Sequence, residues 1–200
     1  MKSHLIVVGL VSILSSLSGW AADFTEVPDS TSPDGVHAAR TEPSKDVNDG
    51  RDYLNLYRKK TGEVAARLPL GGYARYPMDA DPVNLRLLWA PDSMHFALMV
   101  RGTKRSWTTT VYAIGPKGLK EVTLPDLTAK ALKVVSGSEI DRVSRETPSK
   151  WIDNNTLLLR ASGNTTVDGK SIWFEVDLTC SLKTGKITGA KLVETRPYES

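Results

Sequence analysis

The sequence contains a single cysteine, Cys180, and three histidines among its 200 residues. One cysteine excludes an intramolecular disulfide, so the stability of the chain must come from its core. A lone thiol at the end of an apolar strand is typically a small packed side chain rather than a nucleophile. The Gly-x-Ser-x-Gly and His-Glu-x-x-His motifs are both absent. We therefore predict no catalytic residues, no cofactor and no metal site.

Neither sign of charge dominates the chain. Lys and Arg number 26 and Asp and Glu number 23, which gives a formal net charge of +3. This balance is not typical of a nucleic-acid-binding protein. The basic clusters at 58–60 and 101–105 fall at predicted strand ends or turns, where solvated hairpin tips are the simpler interpretation. We expect no nucleic acid among the partners.

Long apolar runs are also missing, except for one near the start of the chain. It extends from Leu5 to about Leu17, follows the basic residue Lys2, and precedes small residues around Ala21. This pattern is typical of a secretory signal, so we predict that residues 1–21 are a signal peptide. The run is shorter than the roughly 20 residues that cross a bilayer. The mature chain is therefore expected to be periplasmic or extracellular and not membrane-spanning.

A faint repeat divides residues 22–200, which we expect to form a single domain. Each copy has a turn, an apolar strand, a second apolar run and a Gly turn, and the copies cover about 32–70, 84–124 and 150–194. The residues that mark the repeat are Pro33, Asp34, Trp89, Pro91, Asp92, Trp151 and Asp153. Such a period predicts repeated β-sheet units. We predict a mainly β fold of antiparallel meander sheets, with one amphipathic helix near 127–135.

The openings of the first two copies are Ser-Pro-Asp-Gly at 32–35 and Trp-Ala-Pro-Asp-Ser at 89–93. Proline presets the turn, and the aspartate side chain bonds the turn backbone. These openings resemble the PD-type propeller repeat of TolB and of the prolyl oligopeptidase class. The resemblance implies a propeller-like fold in which the Trp packs between neighbouring sheets. The third copy departs from the pattern, because Asp-Asn-Asn stands at 153–155.

Only three units can be counted, whereas closed propellers typically have 4–8 blades of four strands. Three arrangements are open at this point. A fourth sheet lies hidden in residues 120–150 and the termini, or the units form an open curved stack, or two chains combine. In an open stack, the predicted helix would cover an exposed sheet face or edge.

Two histidines occupy equivalent places in the repeat. His37 and His95 each lie three residues beyond the turn aspartate. A strand-start histidine bonded to the turn is one interpretation, and a ligand or proton-transfer role is the other. Asp79 and Asp81 alternate as in a calcium loop, but two donors are far short of the six to eight oxygens that calcium requires.

Exposed aromatic residues beside arginine are common at protein interfaces. Trp107 lies in a predicted hairpin close to Lys104 and Arg105, and Tyr73 and Tyr76 lie in a Gly-rich loop. We predict Tyr73, Tyr76, Arg105 and Trp107 as a binding surface. The other interpretation is that these residues fold back on the sheet.

The leading hypothesis is an exported, non-enzymatic binding protein that contacts another protein or an envelope component through rim loops. One alternative is a small secreted hydrolase that uses His37 or His95 with a loop carboxylate such as Asp79 or Asp92. Another is a structural module that completes its sheets by self-association.

Overall fold

The computed structural model describes residues 24–43, 52–70, 84–103, 105–141 and 144–198. These residues form twelve strands and one helix. In chain order, the elements are β1 (Thr25–Glu26), β2 (His37–Glu42), β3 (Tyr53–Arg58), β4 (Val64–Pro69), β5 (Leu85–Trp89), β6 (His95–Thr103), β7 (Ser106–Gly115), β8 (Gly118–Val122), α1 (Leu127–Val135), β9 (Ser144–Asp153), β10 (Thr156–Val167), β11 (Lys170–Ser181) and β12 (Lys186–Pro197).

The strands form three antiparallel meanders of four strands each. The first meander is β1 to β4, the second is β5 to β8, and the third is β9 to β12. The second and third join into one eight-stranded sheet through a short parallel contact, in which Ser106 pairs with Ser144 and Trp107 with Arg145. The prediction of a mainly β fold with antiparallel meanders and one short helix is confirmed. The described strands do not close into a ring.

A first hydrophobic cluster lies between the first and second meanders. Successive side chains of a strand point to opposite faces, so each strand contributes alternate residues. The first meander contributes Ala39, Leu54 and Leu56, and the second contributes Leu85, Leu87, Trp89, Phe96 and Leu98. This packing holds two sheets together that share no strand pairing.

A second cluster joins the third meander to helix α1 and to the other face of the second meander. The helix contributes Leu127, Ala131, Leu132 and Val135, and the sheets contribute Ala97, Val111, Leu157, Leu159, Ala161, Phe174, Val176, Leu178 and Cys180. The helical residues recur at the spacing of one helix face. The helix therefore covers an apolar face of the third meander.

Local signals set both ends of α1, which has the bounds that the sequence predicts. The Asp126 carboxylate accepts a hydrogen bond from the Ala129 amide and caps the first turn. Ser136 ends the helix in the left-handed conformation. A Cβ on the next residue, Gly137, would lie 2.6 Å from the Thr165 hydroxyl, so this close approach requires glycine.

The outer face of the first meander is covered by its own polar and aromatic side chains. The Arg40 guanidinium lies 3.9 Å from the Phe24 ring centroid and 4.8 Å from that of Tyr57. The Tyr57 hydroxyl donates to the Glu26 carboxylate at 2.9 Å. The third meander likewise carries an ion-pair network on the face opposite α1, centred on Arg160. Both ends of the stack therefore present polar faces.

Residues 120–150, where the sequence allows a hidden fourth sheet, contain the end of β8, helix α1 and the start of β9 in their described part. Strand β9 belongs to the third meander, so the described part of this segment adds no fourth sheet and the third unit begins at Ser144 rather than near 150. Most of β9 lies outside the strands predicted from the sequence, because the strand is largely polar and contains Pro148. Among the described residues, no helix has the length and apolarity needed to cross a bilayer.

Candidate functional site

The sheet topology places the repeat turns at one rim, and two of the predicted binding residues, Arg105 and Trp107, at the opposite rim. The turn rim carries the connections between the first and second strands of each meander, with Asp34 and Asp92 inside the first two connections and Asp153 at the end of β9. The opposite rim carries the β6–β7 turn with Arg105 and Trp107. We call it the ladder rim, because a row of alternating arginine and tryptophan side chains lies along it. Because the strands are antiparallel, these two sets of connections cannot share a rim.

The three aspartates of the turn rim have the same role. In each turn, the Oδ1 atom accepts a hydrogen bond from the backbone amide two residues further on, at 3.0 Å for Asp34, 2.9 Å for Asp92 and 2.8 Å for Asp153. The Ser32 hydroxyl also donates to Asp34 at 2.6 Å, and this bond lowers the pKa of the carboxyl. The third turn keeps this chemistry although its sequence differs.

Trp89 connects the first two meanders. Its indole Nε1 donates to the Ser30 carbonyl of the first meander at 2.7 Å, across the boundary between the sheets. Its ring also stacks against His37, with 6.2 Å between centroids and 22° between planes. The ring is 8% exposed. Trp89 therefore combines apolar burial with a directed bond between two repeat units.

Trp151 makes the corresponding contacts between the second and third meanders. Its Nε1 donates to the Leu88 carbonyl at 3.0 Å, and its ring lies 6.2 Å from that of His95. The His95 Nδ1 is 3.3 Å from the Asp92 carboxylate. Within the described ranges, no serine, threonine or cysteine side chain hydrogen-bonds the ring of His37 or His95. Both histidines thus lie at junctions between meanders.

Cys180 is fully buried on β11, in the cluster beneath the helix. Burial raises the pKa of its thiol to about 11, and the nearby Glu146 carboxylate adds to the shift. We expect the native thiol to resist alkylation at pH 8 and to react fully in denaturant, which mass spectrometry of the labelled protein would show. Rapid labelling of the native chain would contradict the packed position.

The same shift predicts a pH dependence of stability. The folded-state pKa of Cys180 is raised above its ordinary value of 9.0. The unfolded chain therefore ionises first as the pH rises, so the stabilising contribution is complete below about pH 9 and is lost towards pH 11. Urea titrations should give a lower free energy of unfolding at pH 10.5 than at pH 8. In the Cys180→Ala variant, the difference in this free energy between the two pH values should be smaller.

The ladder rim carries a row of alternating arginine and tryptophan side chains, which we call the arginine–tryptophan ladder. It consists of Arg101, Trp107, Arg145, Trp173 and Arg196. The distances from guanidinium carbon to ring centroid along the row are 5.0, 4.4, 5.4 and 6.0 Å. All four lie within the range of about 6 Å over which a cation is attracted to an aromatic face.

Strand pairing builds the ladder from residues distant in sequence. Arg101 pairs with Trp107 across the β6–β7 hairpin, and Trp107 pairs with Arg145 in the parallel contact of β7 with β9. Trp173 pairs with Arg196 between β11 and β12. The row therefore depends on the contact that joins the second and third meanders.

Burial separates the two kinds of side chain in the ladder. Trp107 and Trp173 are each 8% exposed, whereas Arg145 and Arg196 are exposed. Among the described residues, no carboxylate forms an ion pair with Arg145, whose guanidinium contacts both indoles. Arg196 lies 3.7 Å from Glu194, a long contact between two exposed side chains. The two indoles are buried beneath the exposed side chains of Arg145 and Arg196, whereas Arg101 is half-buried.

The predicted binding residues have different outcomes. Trp107 is buried, so the expectation of an exposed indole is wrong for this residue: two guanidinium groups cover its ring. Arg105 is exposed in the turn beside it. Tyr73 and Tyr76, like Asp79, lie outside the described residues. The binding role of the four predicted residues stays a prediction.

Three residues of the ladder are not among the binding residues predicted from the sequence: Arg145, Trp173 and Arg196. Their only signal in the sequence is position near strand ends, which many surface residues share. A parallel pairing across the helix and its connections brings Arg145 beside Trp107, and the antiparallel β11–β12 pair brings Trp173 beside Arg196. Strand register at that distance is not specified by local pattern.

The turn rim also has a shallow cavity, with a volume of about 540 Å³. It is lined by residues of the second and third meanders, most of them of polar type: Pro91, Asp153, Asn154, Asn155, Thr156, Ser181 and Lys183. Among the described residues, no group of three or more His, Cys, Asp or Glu side chains is arranged to hold a metal ion.

No known protein family matches the sequence, and no curated protein matches it. Two solved structures show a likeness in shape. One is an acylaminoacyl peptidase from Pyrococcus horikoshii, with 9% identity and a TM-score of 0.41 over 80% of this chain and 23% of that one. The other comes from a study of two prolyl endopeptidases, with 9% identity and a TM-score of 0.25 over 84% and 35%. This chain therefore spans about a quarter to a third of their length, and likenesses this low carry no conclusion about its activity.

Proposed function

We propose that this chain is an exported, non-enzymatic binding protein with an open, propeller-like β fold. Its binding surface is the ladder rim, and its partner is another protein or a component of the cell envelope. The observation that carries the proposal is the Arg145 guanidinium, which is exposed and lies between two buried indoles without a described carboxylate partner.

A guanidinium held against two indoles is well suited to binding. Its contacts with both rings restrict its motion, at 4.4 and 5.4 Å from the two ring centroids. Less side-chain entropy is then lost when a partner binds than for a freely rotating arginine. Arginine and tryptophan are also the residues most enriched at the centres of protein interfaces. The exposed Arg105 beside Trp107 enlarges the same basic surface.

Two further features support the other parts of the proposal. The basic, apolar and small residues over 1–21 support export. The recurring aspartate turns, with a tryptophan bond to the preceding meander in two of them, support the propeller-like repeat. These contacts link each meander to the next in the same sense, as blades of a repeat protein are linked.

The test is capture of the partner by the mature chain from an envelope extract of its native cell, with gentle crosslinking and mass spectrometry. The wild-type chain should retain one protein near stoichiometrically. The double variant Arg105→Ser with Arg145→Ser should lose that protein while keeping the wild-type melting temperature. Lys183→Ser, an exposed basic residue at the turn rim, is the matched control and should retain the partner.

Equal capture by wild type and the double variant would exclude the ladder rim as the binding surface. No capture by a folded wild-type chain would reject a stable protein partner and favour a small-molecule ligand or the hydrolase alternative. Loss of capture in the Lys183 variant would place the surface at the turn rim instead.

A further inference from the structure

We propose that the arginine–tryptophan ladder recognises carboxylate side chains, so that the partner presents a short acidic segment in an extended conformation. This inference rests on the proposed function and adds the chemistry of the partner. It follows from the charge, the geometry and the surroundings of the ladder.

The ladder concentrates positive charge at one place in a chain that is nearly balanced overall. The net charge of the whole sequence is only +3. Three exposed arginines, Arg105, Arg145 and Arg196, lie in the ladder and its adjoining turn, and the one described ion pair among them joins Arg196 to Glu194. A planar guanidinium binds a carboxylate through two parallel N–H···O bonds. A negatively charged segment therefore complements this rim.

The spacing of the arginines suits an extended peptide. From Arg101 on β6 to Arg196 on β12, the rim crosses β7, β9, β10 and β11. At about 4.8 Å between neighbouring strands, the distance is about 24 Å. An extended chain advances about 3.3 Å per residue, so about seven or eight residues span the row. Arg145 lies inside the row and would contact the middle of such a segment.

Acidic side chains on the same face favour a peptide over a nucleic acid. Glu175 and Asp177 lie on β11 and bind Arg160 at 3.1 and 2.8 Å. Glu194 lies beside Arg196 on β12. These carboxylates interrupt the positive surface on which a continuous phosphate backbone would rest. A short segment with separate carboxylates can bind the arginines and avoid the acidic groups.

The test measures binding of fluorescently labelled octaglutamate to the folded mature chain by anisotropy at low salt. We expect saturable binding and no binding of octaglutamine. Arg145→Gln should weaken octaglutamate binding by about tenfold or more, because a bidentate charged contact is lost. The affinity of Arg145→Lys for octaglutamate should lie between those of wild type and Arg145→Gln, because lysine keeps the charge and loses the planar pair of donors. Lys183→Gln at the turn rim is the control and should bind as wild type.

Arg196→Gln provides a second test at the far end of the ladder, should Arg145→Gln fail to fold, and it should also weaken binding. Octathymidylate is the comparison for general attraction of polyanions. The inference would be overturned if octathymidylate bound as tightly as octaglutamate. It would also be overturned if neither arginine variant reduced the binding of octaglutamate. No binding of octaglutamate would also overturn it. Capture of a partner that still depends on Arg145 would then leave the proposed function standing with a different partner chemistry.

Discussion

Replacing Trp89 by alanine is expected to lower the free energy of unfolding by about 3–5 kcal/mol. The change removes a ring that is 8% exposed and that packs against Phe96 at 5.1 Å between centroids. It also leaves the Ser30 carbonyl without the indole N–H that lies 2.7 Å away. The loss is concentrated where two sheets without shared strand pairing meet. Urea unfolding followed by circular dichroism would measure it.

Two comparisons separate the contributions of Trp89. Trp89→Phe keeps an aromatic ring and loses the hydrogen bond, so we expect a loss of about 1–3 kcal/mol. Met94→Ala removes an exposed side chain in the neighbouring turn and should change stability by less than about 0.5 kcal/mol. A loss below about 1 kcal/mol for Trp89→Ala would mean that this side chain does not hold the first and second meanders together.

Replacing Phe174 by alanine is expected to cost a similar amount, about 3–5 kcal/mol. Phe174 is 1% exposed and belongs to the cluster beneath helix α1. It lies opposite Gly163 on β10, which has no side chain to fill the space that the phenyl ring leaves. The resulting cavity should loosen the helix together with the third meander. Urea unfolding would measure the loss in free energy, and hydrogen exchange would locate it.

The control for Phe174 is Val193→Ala on the neighbouring strand β12. Val193 is 42% exposed, so its truncation should change stability by less than about 0.5 kcal/mol. Phe174→Leu keeps most of the volume and should cost less than about 1.5 kcal/mol, which leaves a folded variant to study if the alanine variant unfolds. Equal effects for Phe174→Ala and Val193→Ala would contradict the buried position of the ring.

Sequence reasoning predicts the helix and many of the strands because their signals are local. Helix α1 has apolar residues on one face and an aspartate cap, and its bounds match the prediction. The strands that follow the turns alternate clearly between apolar and polar residues. Strand β9 escapes prediction because its residues are mostly polar. Its pairing with β10, and not its composition, makes it a strand.

The candidate site is harder to predict, and Trp107 shows the physical reason. Charged neighbours in the sequence indicate an exposed hairpin tip, but the guanidinium groups of Arg101 and Arg145 cover the indole. Long cationic side chains can bury apolar surface while their charged ends stay in water. Arg145 reaches this ring through a pairing between strands β7 and β9, and that register is a tertiary property. The aspartate turns, in contrast, need only their own few residues.

The polar network on the third meander has a consequence for assembly by stacking. Arg160 holds Asp177 through two bonds of 2.8 and 3.2 Å and Glu175 through one of 3.1 Å. A further sheet laid on this face would have to take three charges out of water, at a cost of several kcal/mol per ion unless new partners replace the lost hydration. Duplication of another repeat unit would therefore extend the array on this side only after Arg160 and its partners had been replaced by apolar residues.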